Sequence, residues 1–321
     1  QIIQFTRRSL FLTGKAGTGK STFLRYISET TKKKHVILAP TGIAAINAGG
    51  STLHSFFKLP FHPLLPNDTR YNVRNMRKTL RYTSEKCKLL REVELIIIDE
   101  ISMVRADIID FIDKVLRVYN RNMREPFGGK QLLLVGDIYQ LEPVVREEDR
   151  QLLAPFYHSQ FFFDAKVFAS LQLVSIELTK VYRQNSPTFI NLLDHIRSSH
   201  VTTADLEMLN RQVGADIDTS DSSLSITLST RRDTVDYIKR TRLAELDGDA
   251  TIFDGTIEGD FPENNLPSPL KLELKVGAQV LFVRNDKEKR WVNGTLGTVT
   301  GFSLDVEDSK DAIIYVRTED G

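Results

Sequence analysis

The chain has 321 residues, 41% hydrophobic and 26% charged, the balance of a globular protein with more than one compact unit. Its 43 Lys and Arg stand against 42 Asp and Glu, so a net charge of +1 offers no global basic excess to mark a nucleic-acid binder. No apolar run reaches the roughly 20 residues of a membrane span, no secretory leader is visible, and the single Cys87 excludes a disulfide scaffold and fits a reducing compartment.

In chain order, residues 10–13 are a short apolar run that feeds a glycine-rich turn and then a helical pattern. Residues 36–39, 95–98 and 131–135 are further aliphatic runs. Short runs of this kind alternating with helical stretches predict a parallel sheet covered on both faces, an α/β fold. Residues 57–71 interrupt the rhythm with Pro60, Pro63 and Pro66 among aromatics, as an inserted loop or small subdomain would. A second α/β pattern opens with a strand-like run at 226–229 and a helical one at 234–246. Residues 254–269, rich in Gly, Pro, Asn and acids, read as a long connection. Short strands then follow at 279–284, 297–300 and 312–317, with Asn293-Gly294 as a hairpin turn signal. The chain starts at Gln1 and stops at Gly321 after a strand-like run, which leads us to expect a piece cut at both ends.

Three segments carry chemistry. Gly14-Lys15-Ala16-Gly17-Thr18-Gly19-Lys20-Ser21 is a full G-x-x-x-x-G-K-S/T match between a strand and a helix. Such glycines let backbone N–H groups turn inward around phosphate oxygens, and the helix that follows adds its positive end. Lys20 would reach the outer phosphates, Ser21 would offer its hydroxyl to Mg²⁺, and Thr22 completes the binding turn. The second segment is the run 95–98 ending in Asp99-Glu100, carboxylates emerging where open α/β sheets bind ligands. Asp99 suits the Mg²⁺ shell and Glu100 the polarisation of an attacking water. In the third, the strand 131–135 ends in Gly136-Asp137-Ile138-Tyr139-Gln140-Leu141, which would set Gln140 beside a γ-phosphate.

In this order the segments resemble the Pif-one family of DNA helicases, in the RecD-like branch of superfamily one. The resemblance includes Ala39-Pro40-Thr41-Gly42-Ile43-Ala44-Ala45, Gly50-Ser51-Thr52-Leu53-His54-Ser55-Phe56, Asp99-Glu100-Ile101-Ser102-Met103 and Val181-Tyr182-Arg183-Gln184. Val276-Gly277-Ala278-Gln279-Val280, followed by Val292-Asn293-Gly294, looks like the family's late motif. The resemblance implies two RecA-like parallel-sheet domains, a small inserted wedge subdomain and a C-terminal β-rich, SH3-like insertion. It places the first RecA-like domain at 1–56 and 72–170, the wedge at 57–71, an incomplete second RecA-like domain at 171–270 and the β-rich segment at 271–321. ATP with Mg²⁺ is the implied cofactor pair, and Arg183 is the implied arginine finger reaching over from the second domain. Tyr182 is implied to stack on adenine. Thr41, Gly42, Thr52, His54 and Asn293 are the implied contacts to single-stranded DNA, with duplex or fork DNA as the other partner. His54 beside Phe56 and Phe57 offers an aromatic face to a base, unless those phenylalanines are core. Residues 70–91 hold eight basic residues against the single acid Glu85, a solvated face or a DNA contact.

The implied activity is ATP-dependent 5′-to-3′ unwinding by a monomer able to pair on DNA, in the cytoplasm or, in a eukaryote, the nucleus or mitochondrion. A nucleotide-dependent single-strand-binding module and a RecD-like subunit of a recombination or conjugation complex are the alternatives. No His-Lys-Ser-Gln-Gly string, the core of the family's last motif, occurs in the 321 residues, and this is the best support for the first alternative.

Overall fold

A computed structural model describes residues 1–215, 224–257, 266, 268–283, 286, 288, 290–291, 294–303 and 312–318. The chain divides into two units, Gln1–Val213 and Gly214–Gly321.

The aliphatic runs of the first unit become strands because their backbone groups pair in one six-stranded sheet. The strands are β1 (Ser9–Gly14), β2 (His35–Ala39), β3 (Ser51–Thr52), β4 (Leu95–Ile98), β5 (Gln131–Val135) and β6 (Leu173–Leu178). Their order is β3-β2-β4-β5-β1-β6, and every neighbouring pair is parallel. β4 and β5 are buried along their whole length, which explains runs with no polar alternation. Successive side chains point to opposite faces, so the two strands feed two cores. Leu95, Ile97, Leu133 and Val135 join Leu10, Leu12 and the helix Lys20–Thr30, through Leu24 and Ile27. Ile96, Ile98, Leu132 and Leu134 face the other way, onto Ile109, Ile112, Val115 and Leu116 of the helix Ala106–Asn120. Each such aliphatic side chain contributes about 1.5–3 kcal/mol by leaving water.

The proline-rich segment is stitched into this unit. Phe57, Leu59, Leu64 and Tyr71 belong to the same core as β4 and β5. Leu64 donates its N–H to buried Asp107 at 2.9 Å, and the Tyr82 hydroxyl donates to the Phe57 carbonyl at 2.5 Å. Phe56 and Phe57 are buried, so that aromatic pair is core.

Two sequence expectations shift. Residues 173–178, assigned to the second domain, form β6 and pair with β1 from Ser9↔Leu173 to Gly14↔Leu178. Without β6, one edge of β1 would leave its backbone donors and acceptors unpaired. Residues 226–229, read as a strand, carry no regular structure, and the helical pattern after them is the helix Arg232–Ala244.

The described strands of the second unit pair antiparallel. β7 (Thr251–Asp254) pairs with β8 (Lys271–Leu274), and β10 (Leu296–Ser303) lies between β9 (Gln279–Leu281) and β11 (Ile313–Thr318). A small core of Leu274, Ala278 and Val299 holds them. β8 to β11 fall within the β-rich segment expected at 271–321, whereas β7 lies in residues the sequence reading gave to the second RecA-like domain, and no parallel pair occurs among the unit's described residues. No helix among the described residues is long and apolar enough to cross a membrane.

Candidate active site

β1 delivers Gly14 to the glycine-rich turn, and the chain enters the helix Lys20–Thr30 through Gly19 at φ +94, a left-handed conformation that favours glycine. Lys20, half-buried, donates to the carbonyls of Gly14 at 2.7 Å and Lys15 at 3.1 Å. Burial pushes its ammonium below the usual lysine range, against the pull of Asp137, Glu100 and Asp99. The cation therefore has backbone carbonyls as its direct partners, with three carboxylates nearby. Thr18 is buried and donates to the Lys15 carbonyl at 2.8 Å, closing the turn. Ser21 and Thr22 open the helix exposed, and Ala16 is exposed in the turn.

The strand order explains why the three sequence segments meet. Registers Leu12↔Val135 and Ile98↔Leu134 align the carboxyl ends of β1, β5 and β4, so 14–21, 137–140 and 99–100 leave the sheet side by side. Asp99 accepts the Glu100 N–H at 3.0 Å. Burial raises both carboxyls above their usual range, and for Glu100 the neighbouring Asp99 charge adds to it. Glu100 sits at φ +50, ψ +44, a left-handed conformation uncommon outside glycine and found at functional sites.

The segment 182–184 rests on the glycine-rich turn. The Tyr182 N–H donates to the Gly17 carbonyl at 2.8 Å. A Cβ placed on Gly17, itself at φ +76, would lie 2.6 Å from the Arg183 Cβ. Arg183 thus lies in the first unit with its backbone against the loop, where the sequence reading had it reaching over from a second domain. Its side chain is exposed and has no carboxylate partner among the described residues. Tyr182 is 65% exposed, so its ring is not core, and Lys180 lies over it at 4.9 Å.

Sequence reasoning passed over the helix Pro187–Arg197, which touches two of these loops. Asp194 pairs with Lys15 of the turn. Arg197 donates to both oxygens of Asp137, at 2.9 and 3.2 Å, and its guanidinium covers the Tyr139 ring at 4.4 Å. Asp137 also accepts from the Tyr139 N–H at 3.1 Å and the Gln140 side-chain amide at 3.2 Å. Burial would push the Asp137 carboxyl up, but these bonds outweigh it and hold it below the usual range. The available signal was the i, i+3 spacing of an acid and a base on an amphipathic helix, which names no distant partner.

Thr41, Gly42, Thr52 and His54 also meet. Ala39 pairs with Thr52 across β2 and β3, bringing the two segments together at the sheet's edge. Three strand spacings separate β2 from β1, about 14 Å at ~4.8 Å per strand. Both threonines are helix caps: Thr41 accepts from Ala44 N–H and Thr52 from Ser55 N–H, each at 3.2 Å. His54 stacks on Phe61 with ring centroids 5.4 Å apart, and Phe61 is 85% exposed. Burial, then the nearby Arg105 charge, lowers the His54 pKa below the usual histidine range. Asn293 lies outside the described residues. The cap gives a first expected result. Thr52→Ala should lower stability by about 1 kcal/mol and Thr52→Ser should not, as read by chemical denaturation. Indistinguishable curves for Thr52→Ala and the parent protein would remove the cap role.

A parallel α/β sheet with a phosphate-binding type of loop between its β1 strand and the following helix is the architecture of the P-loop nucleotide-binding proteins. Residues 1–207 match the family model of the PIF1-like helicases, and residues 262–302 match that of the 2B domain of the DNA helicase Pif1. The chain belongs to the Pif1-like helicase family. It is 36% identical over 309 residues to the ATP-dependent DNA helicase PIF1 of Rattus norvegicus, covering 92% of this chain and 44% of that protein. For PIF1 of Candida albicans the identity is 34% over 310 residues, covering 92% and 33%. The chain thus spans between a third and a half of the length of these curated relatives. Among solved structures, the Bacteroides Pif1 helicase in complex with ADP-AlF3 and ssDNA is 42% identical, with a TM-score of 0.77 over 100% of this chain and 70% of that one. The Candida albicans Pif1 helicase is 31% identical, with a TM-score of 0.79 over 98% and 73%.

Proposed function

We propose that this chain is the ATP-hydrolysing and strand-gripping part of a DNA helicase that travels 5′ to 3′ on single-stranded DNA and unwinds duplexes. One observation carries the reading: the carboxyl ends of β1, β5 and β4 bring Lys20, Gln140 and Asp99-Glu100 to one place, with Arg183 beside the same turn. Related Pif1 proteins bind ADP-AlF3 and ssDNA at 42% identity, and two Pif1 helicases act at forked dsDNA at 41% identity, which supports the partners. Forked DNA is therefore the second expected partner, with a monomer that pairs on DNA as the expected assembly.

ATP would lie on the loop formed by Gly14, Ala16, Gly17, Thr18, Gly19, Lys20, Ser21 and Thr22. Lys20 would exchange the weak carbonyls of Gly14 and Lys15 for charged phosphate oxygens, a stronger class of hydrogen bond. Mg²⁺ fits the donor set, because the Ser21 hydroxyl and the desolvated Asp99 carboxylate are hard oxygen ligands. Mg²⁺ needs few protein oxygens when phosphates supply others, and when bound it would neutralise phosphate charge. Glu100 is the proposed base and Gln140, whose amide nitrogen is held by Asp137, the water-orienting group with its oxygen left to accept. Tyr182 is proposed to stack on the adenine. Thr41, Gly42, Thr52 and His54 are proposed to grip the strand, with Asn293 as a further contact. The segment 57–71 is proposed as the wedge at a duplex junction. An intracellular site of action goes with DNA as substrate.

ATP turnover with and without single-stranded DNA tests the reading. DNA should stimulate turnover, and half-maximal DNA should rise steeply with salt, because neutralised phosphates release counterions. ATP-dependent DNA binding without turnover would favour a binding module and overturn the motor.

A further inference from the structure

The helix Pro187–Arg197 begins at Ser186, whose hydroxyl accepts the Phe189 N–H at 3.3 Å, and carries Asp194 and Arg197 three residues apart. Residues at that spacing share a helix face. Here one acid holds Lys15 of the glycine-rich turn and one base holds Asp137 of the loop that ends in Gln140. The Asp137 side chain is 1% exposed and Arg197 20%, so this is a nearly buried ion pair with two parallel bonds. Among the described residues, every hydrogen bond of the Asp137 side chain is local except those to Arg197: Tyr139 N–H and the Gln140 amide come from its own loop, and the Gln140 N–H donates to the Asp137 carbonyl at 3.0 Å. The loop is thus a closed turn around one carboxylate. Arg197 is the outside group that neutralises that carboxylate and fixes its plane. The Tyr139 ring beneath the guanidinium limits its movement.

We propose that Arg197 is a positioning residue for hydrolysis: by clamping Asp137, it fixes the Gln140 amide in the orientation that meets the attacking water. The inference rests on the ATP reading above. Without Arg197, a buried carboxylate keeps donors from its own loop alone, and the turn is free to rearrange around it. A displacement of about 1 Å in a positioning group costs on the order of 10²-fold in rate.

The test is a double-mutant cycle in the full chain, measured as steady-state ATP turnover at saturating single-stranded DNA. Arg197→Ala and Gln140→Ala should each lower kcat, the former by about 10²-fold, with KM for ATP within about threefold. The double variant should be no slower than the slower single variant, because Arg197 acts through Gln140. Arg197→Lys, which keeps the charge and loses the planar fork, should recover part of kcat and should fold even if Arg197→Ala does not. Its cycle with Gln140→Ala should then show the same non-additivity. Multiplicative losses in either cycle would assign Arg197 a merely structural role and overturn the proposal. A raised KM with kcat unchanged would overturn it as well, by placing the effect on Lys20 and nucleotide binding. Lys20→Ala separates the two levels. If Lys20→Ala is inactive while Gln140→Ala turns over normally, the positioning proposal fails alone. If Lys20→Ala turns over normally, the ATP reading fails first.

Discussion

Lys20→Ala is expected to cut ATP turnover at saturating DNA by at least about 10³-fold, since even a neutral donor to a developing charge is worth 10²–10³. Lys20 is a desolvated ammonium whose direct partners are the Gly14 and Lys15 carbonyls. Alanine removes the ammonium proposed to reach the outer phosphates, so nucleotide affinity should fall together with turnover. Glu100→Gln should separate the two. The amide keeps the size of the side chain and leaves Ser21 and Asp99 in place, so ATP should still bind while hydrolysis falls by about 10²–10⁴-fold, the usual worth of a general base. Turnover supplies one axis of the measurement and equilibrium titration with a fluorescent ATP analogue the other. A Lys20→Ala protein within about tenfold of the parent has lost no more than ~1.4 kcal/mol of barrier stabilisation. That result would end the phosphate-loop assignment. Loss of ATP binding in Glu100→Gln would make Glu100 a structural or metal-shell group instead of the base.

What was legible in the sequence follows from what kind of interaction made each part. β4 and β5 were legible because strands buried on both faces must be aliphatic at every position, as Leu95–Ile98 is. The turn at 14–21 was legible because phosphate binding needs glycine at fixed offsets between a strand and a helix. β6 was assigned to the wrong side of a boundary because its burial is slight: Ser175, Ile176 and Glu177 are exposed, and its place is fixed by backbone pairing with β1, which leaves no trace in side-chain type. The run 226–229 has the aliphatic spacing of a strand but no pairing partner among the described residues, and a strand exists only by its partner. Phe56 and Phe57 could not be sorted between core and base contact, since an aromatic ring serves both equally. The Arg197–Asp137 pair spans 60 residues, and one acid among 42 acids and one base among 43 cannot be matched without coordinates.

Arg183→Ala is expected to leave ATP affinity only modestly reduced while turnover drops by about 10³–10⁵-fold, the range that arginine fingers contribute in other NTPases. The geometry sharpens the reason. Tyr182 N–H is bonded to the Gly17 carbonyl, so the backbone next to Arg183 is docked on the turn. Only the exposed, unpaired guanidinium has to find the transferring phosphoryl group, and no ion pair among the described residues must break first. Arg183→Lys should recover little, because a point charge does not reproduce a planar set of donors. Gly17→Ala tests the docking itself. A methyl there would sit 2.6 Å from the Arg183 Cβ, at a φ of +76 that alanine resists, so the 182–184 segment must move away. Gly17→Ala should therefore lose turnover too, and combining it with Arg183→Ala should add little to the loss from Arg183→Ala alone. Independent, multiplicative losses would mean that Gly17 acts on the phosphates only. Near-normal turnover of Arg183→Ala at saturating ATP and DNA would remove the finger altogether, leaving the exposed Arg183 side chain without a part in hydrolysis.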